Sequence, residues 1–210
     1  LPLLVKQGFT GSIYCTPATL EICEVLLLDS AHIQENDIMY VNKRRAKEGL
    51  APLKPNYTVK DVEKCLRHFK TVPYNAEFHL NDEVSLKYTD AGHILGSAVV
   101  NLKLTDGTKT MSLTFSGDVG RYNDLLMGDP QPFPQADYIL CESTYGSKLH
   151  DRVEDAKLKL LNCVKHTCIE KKGKLIIPAF SLGRTQEIVY ALDKMKNAGL
   201  LPPVKVFVDS

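Results

Sequence analysis

Residues 88–98 read YTDAGHILGSA, with His93 set among glycines and small residues instead of on an apolar or charged face. The run before it, VSLKYTD at 84–90, alternates apolar and polar residues, as do SAVVNLKLT at 97–105 and KTMSLTFSG at 109–117. A period of two predicts three successive strands, and Asp106-Gly107 between the last two is a hairpin turn. An antiparallel sheet therefore frames His93 at one end and Asp118, just past the third strand, at the other.

The same pattern recurs twice: a strand ends and an ionisable residue follows at once among small neighbours. TFSGDVG carries Asp118, and ILCESTYG carries Glu142 at the end of a run, DYILCES at 137–143, that reads as a buried strand. In layered α/β architectures such strand ends collect on one sheet edge, where ligands and metals bind. An imidazole and a carboxylate brought together there suit zinc or manganese. Taken singly, each motif has a plainer reading: a turn or core histidine for His93, a turn for Asp118, a Ser/Thr-rich turn for Glu142-Ser143-Thr144. Asp90 fits either an acceptor that orients the imidazole or a turn residue. His150 fits the surface of the helix that follows. In PAFSLGRTQE, 178–187, Arg184 falls in the first turn of a helix, where exposed amides and a guanidinium make a phosphate site. Pairing of Arg184 with Glu187 is the alternative.

Outward from these motifs, Thr16-Pro17 caps a helix to about Gln34, and a polar helix over about 35–48 ends at Gly49. That second helix holds the densest basic cluster, Asn42-Lys43-Arg44-Arg45-Ala46-Lys47, a solvated face or a phosphate-contacting surface. Thr58 caps a helix at about 59–69. Beyond 147 the pattern changes to a helix at about 151–172, then KLIIPAF (174–180), a helix at 184–198 and VKVFVDS (204–210), a strand, helix, strand unit of the parallel crossover type. The change predicts a domain boundary near residue 147.

Lys and Arg number 26 against 25 Asp and Glu, a formal net charge of +1, so no global charge recruits nucleic acid, membrane or acidic partners. Six cysteines, at 15, 23, 65, 141, 163 and 168, form no CxxC pair and read as reduced, mostly buried thiols of a cytoplasmic protein. No run reaches the roughly 20 apolar residues of a membrane span. The chain opens LPLLV and closes VFVDS, and reads as an internal piece of a longer protein.

GHILGSA, FSGD, ESTYG and IPAFSLGRTQE occur in the order and spacing of one family. The chain resembles the β-CASP branch of the metallo-β-lactamase superfamily, which includes the cleavage and polyadenylation endonuclease subunit and RNase J. The resemblance implies an α/β fold: residues 1–146 as part of a metallo-β-lactamase αβ/βα sandwich, and 147–210 as the start of a β-CASP α/β domain with parallel strands. It implies a full-length zinc-dependent phosphodiesterase with two Zn2+, an RNA endonuclease that also admits 5′ to 3′ exonuclease action. Its substrate partner is single-stranded RNA, with no membrane partner; a homodimer is compatible with it.

By position, the resemblance makes His93 a ligand of one zinc and Asp118 the carboxylate bridging both. Glu142 becomes the acidic residue that orients a catalytic histidine. His150 matches a histidine that follows this motif in the family, and Arg184, His150, Ser143 and Thr144 are the candidate substrate-binding residues. The family's HxHxDH stretch is absent, its place falling just before residue 1, and the remaining histidines would fall beyond Ser210. With only His93 and Asp118 of the ligand set, the isolated chain is expected to hold zinc weakly or not at all and to be inactive. Two other readings remain: an inactive paralogue serving as a scaffold or binding subunit, and a DNA-processing nuclease of the same branch.

Overall fold

The computed structural model describes residues 1–149 and 153–209, and the fold is α/β with both parallel and antiparallel strand pairing. Two compact units share the chain. The first comprises Leu1–Ala91, Leu95–Gly117 and Gln131–Leu140; the second comprises Gly92–Ile94, Asp118–Pro130 and Cys141–Ser210.

In the first unit, α1 (Pro2–Lys6), β1 (Ile13–Cys15), α2 (Pro17–Lys47), α3 (Val59–Leu66) and β2 (Phe69–Thr71) precede the main sheet, and β1 pairs with β2 in parallel. The sheet follows as β3 (Glu77–His79), β4 (Val84–Asp90), β5 (Ala98–Asp106), β6 (Lys109–Phe115) and β7 (Tyr138–Leu140), paired in that order. The first three pairings are antiparallel and β6–β7 is parallel, so β4, β6 and β7 run in one direction. Three times the chain therefore leaves the same edge of the sheet, after Asp90, Phe115 and Leu140.

The alternation seen in the sequence sets the two faces of this sheet. Leu86 and Tyr88 are buried with Val72, and Tyr14, Phe78, Val100 and Leu102 pack around them. The opposite face buries a polar ladder: Thr114 donates to Asn101 Oδ1 (2.9 Å), and Asn101 Nδ2 donates to Thr89 Oγ1 (3.2 Å) and to the Lys87 carbonyl (3.1 Å). Each of these groups finds a partner, which is the condition for burying it.

Helix α2 departs from expectation. It is one helix of 31 residues, not two, because no glycine or proline interrupts it before Gly49, whose φ of 69° marks its end. Its start is fixed by Thr16. The Thr16 hydroxyl oxygen accepts from Thr19 N (3.2 Å), and the hydroxyls of Thr16 and Thr19 both approach the Gly96 carbonyl, at 2.9 and 2.8 Å. A Cβ on Gly96 (φ 82°) would stand 2.6 Å from Thr19 Oγ1, so the glycine of GHILGSA lets the backbone reach the cap.

The second unit holds α4 (Val153–Val164), a π-helical turn (Lys165–Glu170) and α5 (Arg184–Asn197), built on buried Leu161, Val164, Met195 and Leu201. Three expectations fail around these elements. The 137–143 run is a three-residue edge strand with Tyr138, Ile139 and Leu140 more than half exposed, since β7 has a ladder partner on one side only among the described residues. Residues 174–180 and 204–209 form no ladder among the described residues, which exclude Ser210; segments of both line a cavity of about 910 Å³ against α5. Of the cysteines, only Cys15 and Cys65 are buried, whereas Cys141 and Cys163 are exposed. All six are free thiols. No described helix is long and apolar enough to cross a membrane.

The Thr16 arrangement yields a stability prediction. Thr16→Ala should cost about 1–2 kcal/mol in denaturant unfolding through loss of the cap and the Gly96 bond, while Thr16→Ser, which keeps the hydroxyl, should cost much less.

Candidate metal centre

His93, Asp118, Glu142 and Arg184 all belong to the second unit. His93 follows β4 by three residues, Asp118 follows β6 by three and Glu142 follows β7 by two. The glycines beside them explain how the first two segments meet. A Cβ on Gly120 would lie 1.8 Å from the Gly92 carbonyl oxygen and 2.7 Å from His93 N. Only a residue without a side chain allows that approach. Gly92 is confined in turn: its Cβ would meet Gly128 O and Pro130 N, each at 2.7 Å.

This backbone contact brings His93 Nε2 to 3.8 Å from Asp118 Oδ2. That is too long for a hydrogen bond. Two ligand atoms on one tetrahedral ion, with bonds of about 2.0–2.2 Å, stand roughly 3.3–3.6 Å apart, so the pair matches part of a zinc site in donor type and stands slightly wider than that spacing. Both side chains are open to solvent, 42% and 74% exposed. Among the described residues no group of three or more His, Cys, Asp and Glu side chains is arranged to hold a metal ion, so this pair is a partial donor set.

Glu142 is aimed at the same loop. Its Oε1 accepts from the Val119 amide at 2.7 Å, next in sequence to Asp118. That amide, the Thr144 hydroxyl and the nearby His93 ring hold the Glu142 carboxyl below the ordinary carboxylate range. Thr144 thus acts on the carboxylate, through both its hydroxyl and its backbone. Ser143 opens the turn, its carbonyl accepting from Gly146 N at 3.0 Å. Both Ser143 and Thr144 are exposed. The backbone of Asp90 is bridged by Gln131, whose Oε1 accepts from Asp90 N (3.1 Å) and whose N donates to Asp90 O (2.9 Å). His150 lies outside the described residues.

Arg184 is the first residue of α5, preceded by Gly183 (φ 84°), where a Cβ would meet Ile94 Cγ2 at 3.3 Å. The motif around it is self-bracing, since Thr185 Oγ1 donates to Phe180 O (2.7 Å) and Gln186 Nε2 to Ser181 O (2.9 Å). Arg184 pairs with Glu187, three residues on, yet its side chain is 56% exposed and open to a further anion. Sequence reasoning missed Arg121. This residue gives Nε to Asp124 Oδ2 (3.0 Å) and NH2 to Glu187 Oε1 (2.5 Å). A guanidinium three residues after Asp118 was a visible signal, but its partner is 66 positions away.

No protein-family model matches the chain. Among curated proteins it is similar to the transcription termination factor FttA of Methanosarcina mazei, 34% identical over 213 residues that cover all of this chain and 31% of that protein. FttA of Methanothermobacter thermautotrophicus is 33% identical over 215 residues, covering all of this chain and 31% of its own length. A ribonuclease of Thermus thermophilus is 30% identical over 210 residues, all of this chain and 43% of that one. The chain thus spans about a third of the length of the termination factors. These alignments, which run over nearly all of this chain, bear out its resemblance to the β-CASP branch of the metallo-β-lactamase superfamily.

Two predictions follow from the loop geometry. Gly120→Ala should force the two segments apart and destabilise the chain by about 1–3 kcal/mol, measurable by thermal unfolding. The Val119 amide should report Glu142 in an NMR pH titration. Because the folded carboxyl pKa is depressed, the charged hydrogen bond is intact above the ordinary value of 4.5 and is lost as pH falls through the lower folded value. The Val119 shift should titrate below 4.5, and Glu142→Gln should abolish that titration.

Proposed function

We propose that the whole protein is a zinc-dependent phosphodiesterase that cuts single-stranded RNA in the cytoplasm. On this reading residues 1–146 belong to its metallo-β-lactamase domain and 147–210 begin its β-CASP domain. The observation that carries the reading is the approach of His93 Nε2 to Asp118 Oδ2, with Glu142 holding the backbone beside Asp118. Relatives named as a ribonuclease and as transcription termination factors support RNA as the substrate class.

His93 would supply an imidazole ligand and Asp118 a carboxylate that two ions can share. Bound zinc supplies Lewis acidity and lowers the pKa of a coordinated water into the physiological range. The protein's own residues do the positioning. Glu142, ionised at any pH well above its depressed pKa, keeps the Val119 amide and hence Asp118 in place. Thr144 steadies Glu142, and Ser143 forms the turn that presents them. Arg184, exposed at the start of a helix of 14 residues, would hold a backbone phosphate with the help of the helix N-terminus.

Two protein ligands hold zinc weakly. The 210-residue chain alone is therefore expected to bind substoichiometric zinc in elemental analysis and to leave RNA uncut.

In the full-length protein, His93→Ala and Asp118→Asn should each lower RNA cleavage by at least about 100-fold. Matched single-stranded RNA and DNA substrates check the substrate class. Cleavage of DNA alone would move the protein to DNA processing, and unchanged RNA cleavage in both variants would remove the metal-centre reading.

A further inference from the structure

We infer that Arg121 and Glu187 are a positioning pair for Asp118, a role that rests on the metal-centre reading above. The segment Asp118–Pro130 begins with the ligand and would otherwise be an irregular loop, without helix or strand. Its shape is imposed by carboxylates. Asp124 Oδ1 accepts from Leu126 N (3.0 Å) and Met127 N (3.2 Å), and Asp129 Oδ1 accepts from Asn123 N (2.8 Å). Burial pushes the Asp124 carboxyl up, but the two amides and Arg121 outweigh it and hold the group ionised below its usual range.

These bonds fold the loop on itself, and one side chain fastens it to a regular element. Arg121 spans Asp124 within the loop and Glu187 on the first turn of α5. Glu187 divides its carboxylate, Oε1 taking Arg121 and Oε2 taking Arg184. The side chains of Glu187 and Asp124 are only 16% and 14% exposed, and Arg121 is 35% exposed, so this is not a solvated surface pair. Two guanidiniums and two carboxylates balance to zero charge, which lets the cluster be partly buried. Arginine suits position 121 because its planar fork reaches two carboxylates at once through Nε and NH2; a lysine ammonium lacks that fixed geometry.

The pair therefore ties the loop that starts at Asp118 to the helix that starts at Arg184. Neither Arg121 nor Glu187 is assigned contact with substrate or metal, so the expected defect is one of geometry. Displacing a ligand by a fraction of an ångström costs turnover more than binding.

The test uses the full-length protein with Arg121→Met, Arg121→Lys, Glu187→Gln and the Arg121→Met/Glu187→Gln double variant. RNA turnover should fall about 10–100-fold in kcat with KM little changed and the thermal midpoint preserved, and Arg121→Lys should not restore it. The double variant should be no worse than the worse single one. Arg184→Met, by contrast, should raise KM. Cobalt substituted for zinc should show a shifted d–d band in the Arg121 and Glu187 variants. Hydrogen exchange read by mass spectrometry should quicken over 118–130 and leave β4–β6 unchanged. Unaltered kcat together with unaltered exchange overturns the pair, as does a fully additive double variant. If the wild-type protein cuts no RNA, the functional reading fails, and exchange over 118–130 then decides whether the pair fixes the loop.

Discussion

The centre depends on one contact between two stretches of backbone, Gly120 against the carbonyl of Gly92. A methyl group at Gly120 would overlap that oxygen at 1.8 Å. Everything chemical about the site is downstream of this approach. His93 is one residue beyond Gly92, Asp118 two residues before Gly120, and the Val119 amide that Glu142 grips lies between Asp118 and Gly120. The packing of these two backbone stretches places His93 Nε2 3.8 Å from Asp118 Oδ2, within ion-pair reach. Backbone packing contributes to that spacing, which is how preorganised side chains are held.

Charge then secures what packing positions. Glu142 restrains the start of the loop through a backbone amide, and Arg121 restrains its middle through Asp124 and Glu187. Both devices use ionised groups to hold irregular backbone. Such bonds are about twice as strong as neutral ones, which suits a loop with no ladder or helix to support it. The same economy places Arg184 at the exposed end of the chain of charges, where one face is paired with Glu187 and the rest is open to a phosphate.

Much of the architecture was legible in the sequence, for identifiable reasons. Strands β4, β5 and β6 were predictable because alternation and the Asp106-Gly107 turn are local signals, and the observed bounds differ from the expected ones by at most two residues. The strand-end pattern also directed attention to His93, Asp118 and Glu142. What failed was nonlocal. Runs 174–180 and 204–209 carry strand composition but no ladder, because pairing is a property of two segments and not of one. The polar stretch within α2 resembles a break in composition alone, and no residue there stops a helix. The role of Arg121 lies in Glu187, distant in sequence, and that of Glu142 in the Val119 amide, which no sequence pattern marks.

The central claim is that His93 and Asp118 are ligands of one metal centre. Anomalous diffraction at the zinc edge, on crystals of the full-length protein, addresses it without recourse to activity. A zinc peak is expected with His93 Nε2 and an Asp118 carboxylate oxygen each about 2.0–2.2 Å away. Zinc bound elsewhere with neither side chain in its coordination sphere, or a zinc-loaded centre that leaves His93 and Asp118 outside it, would contradict the account.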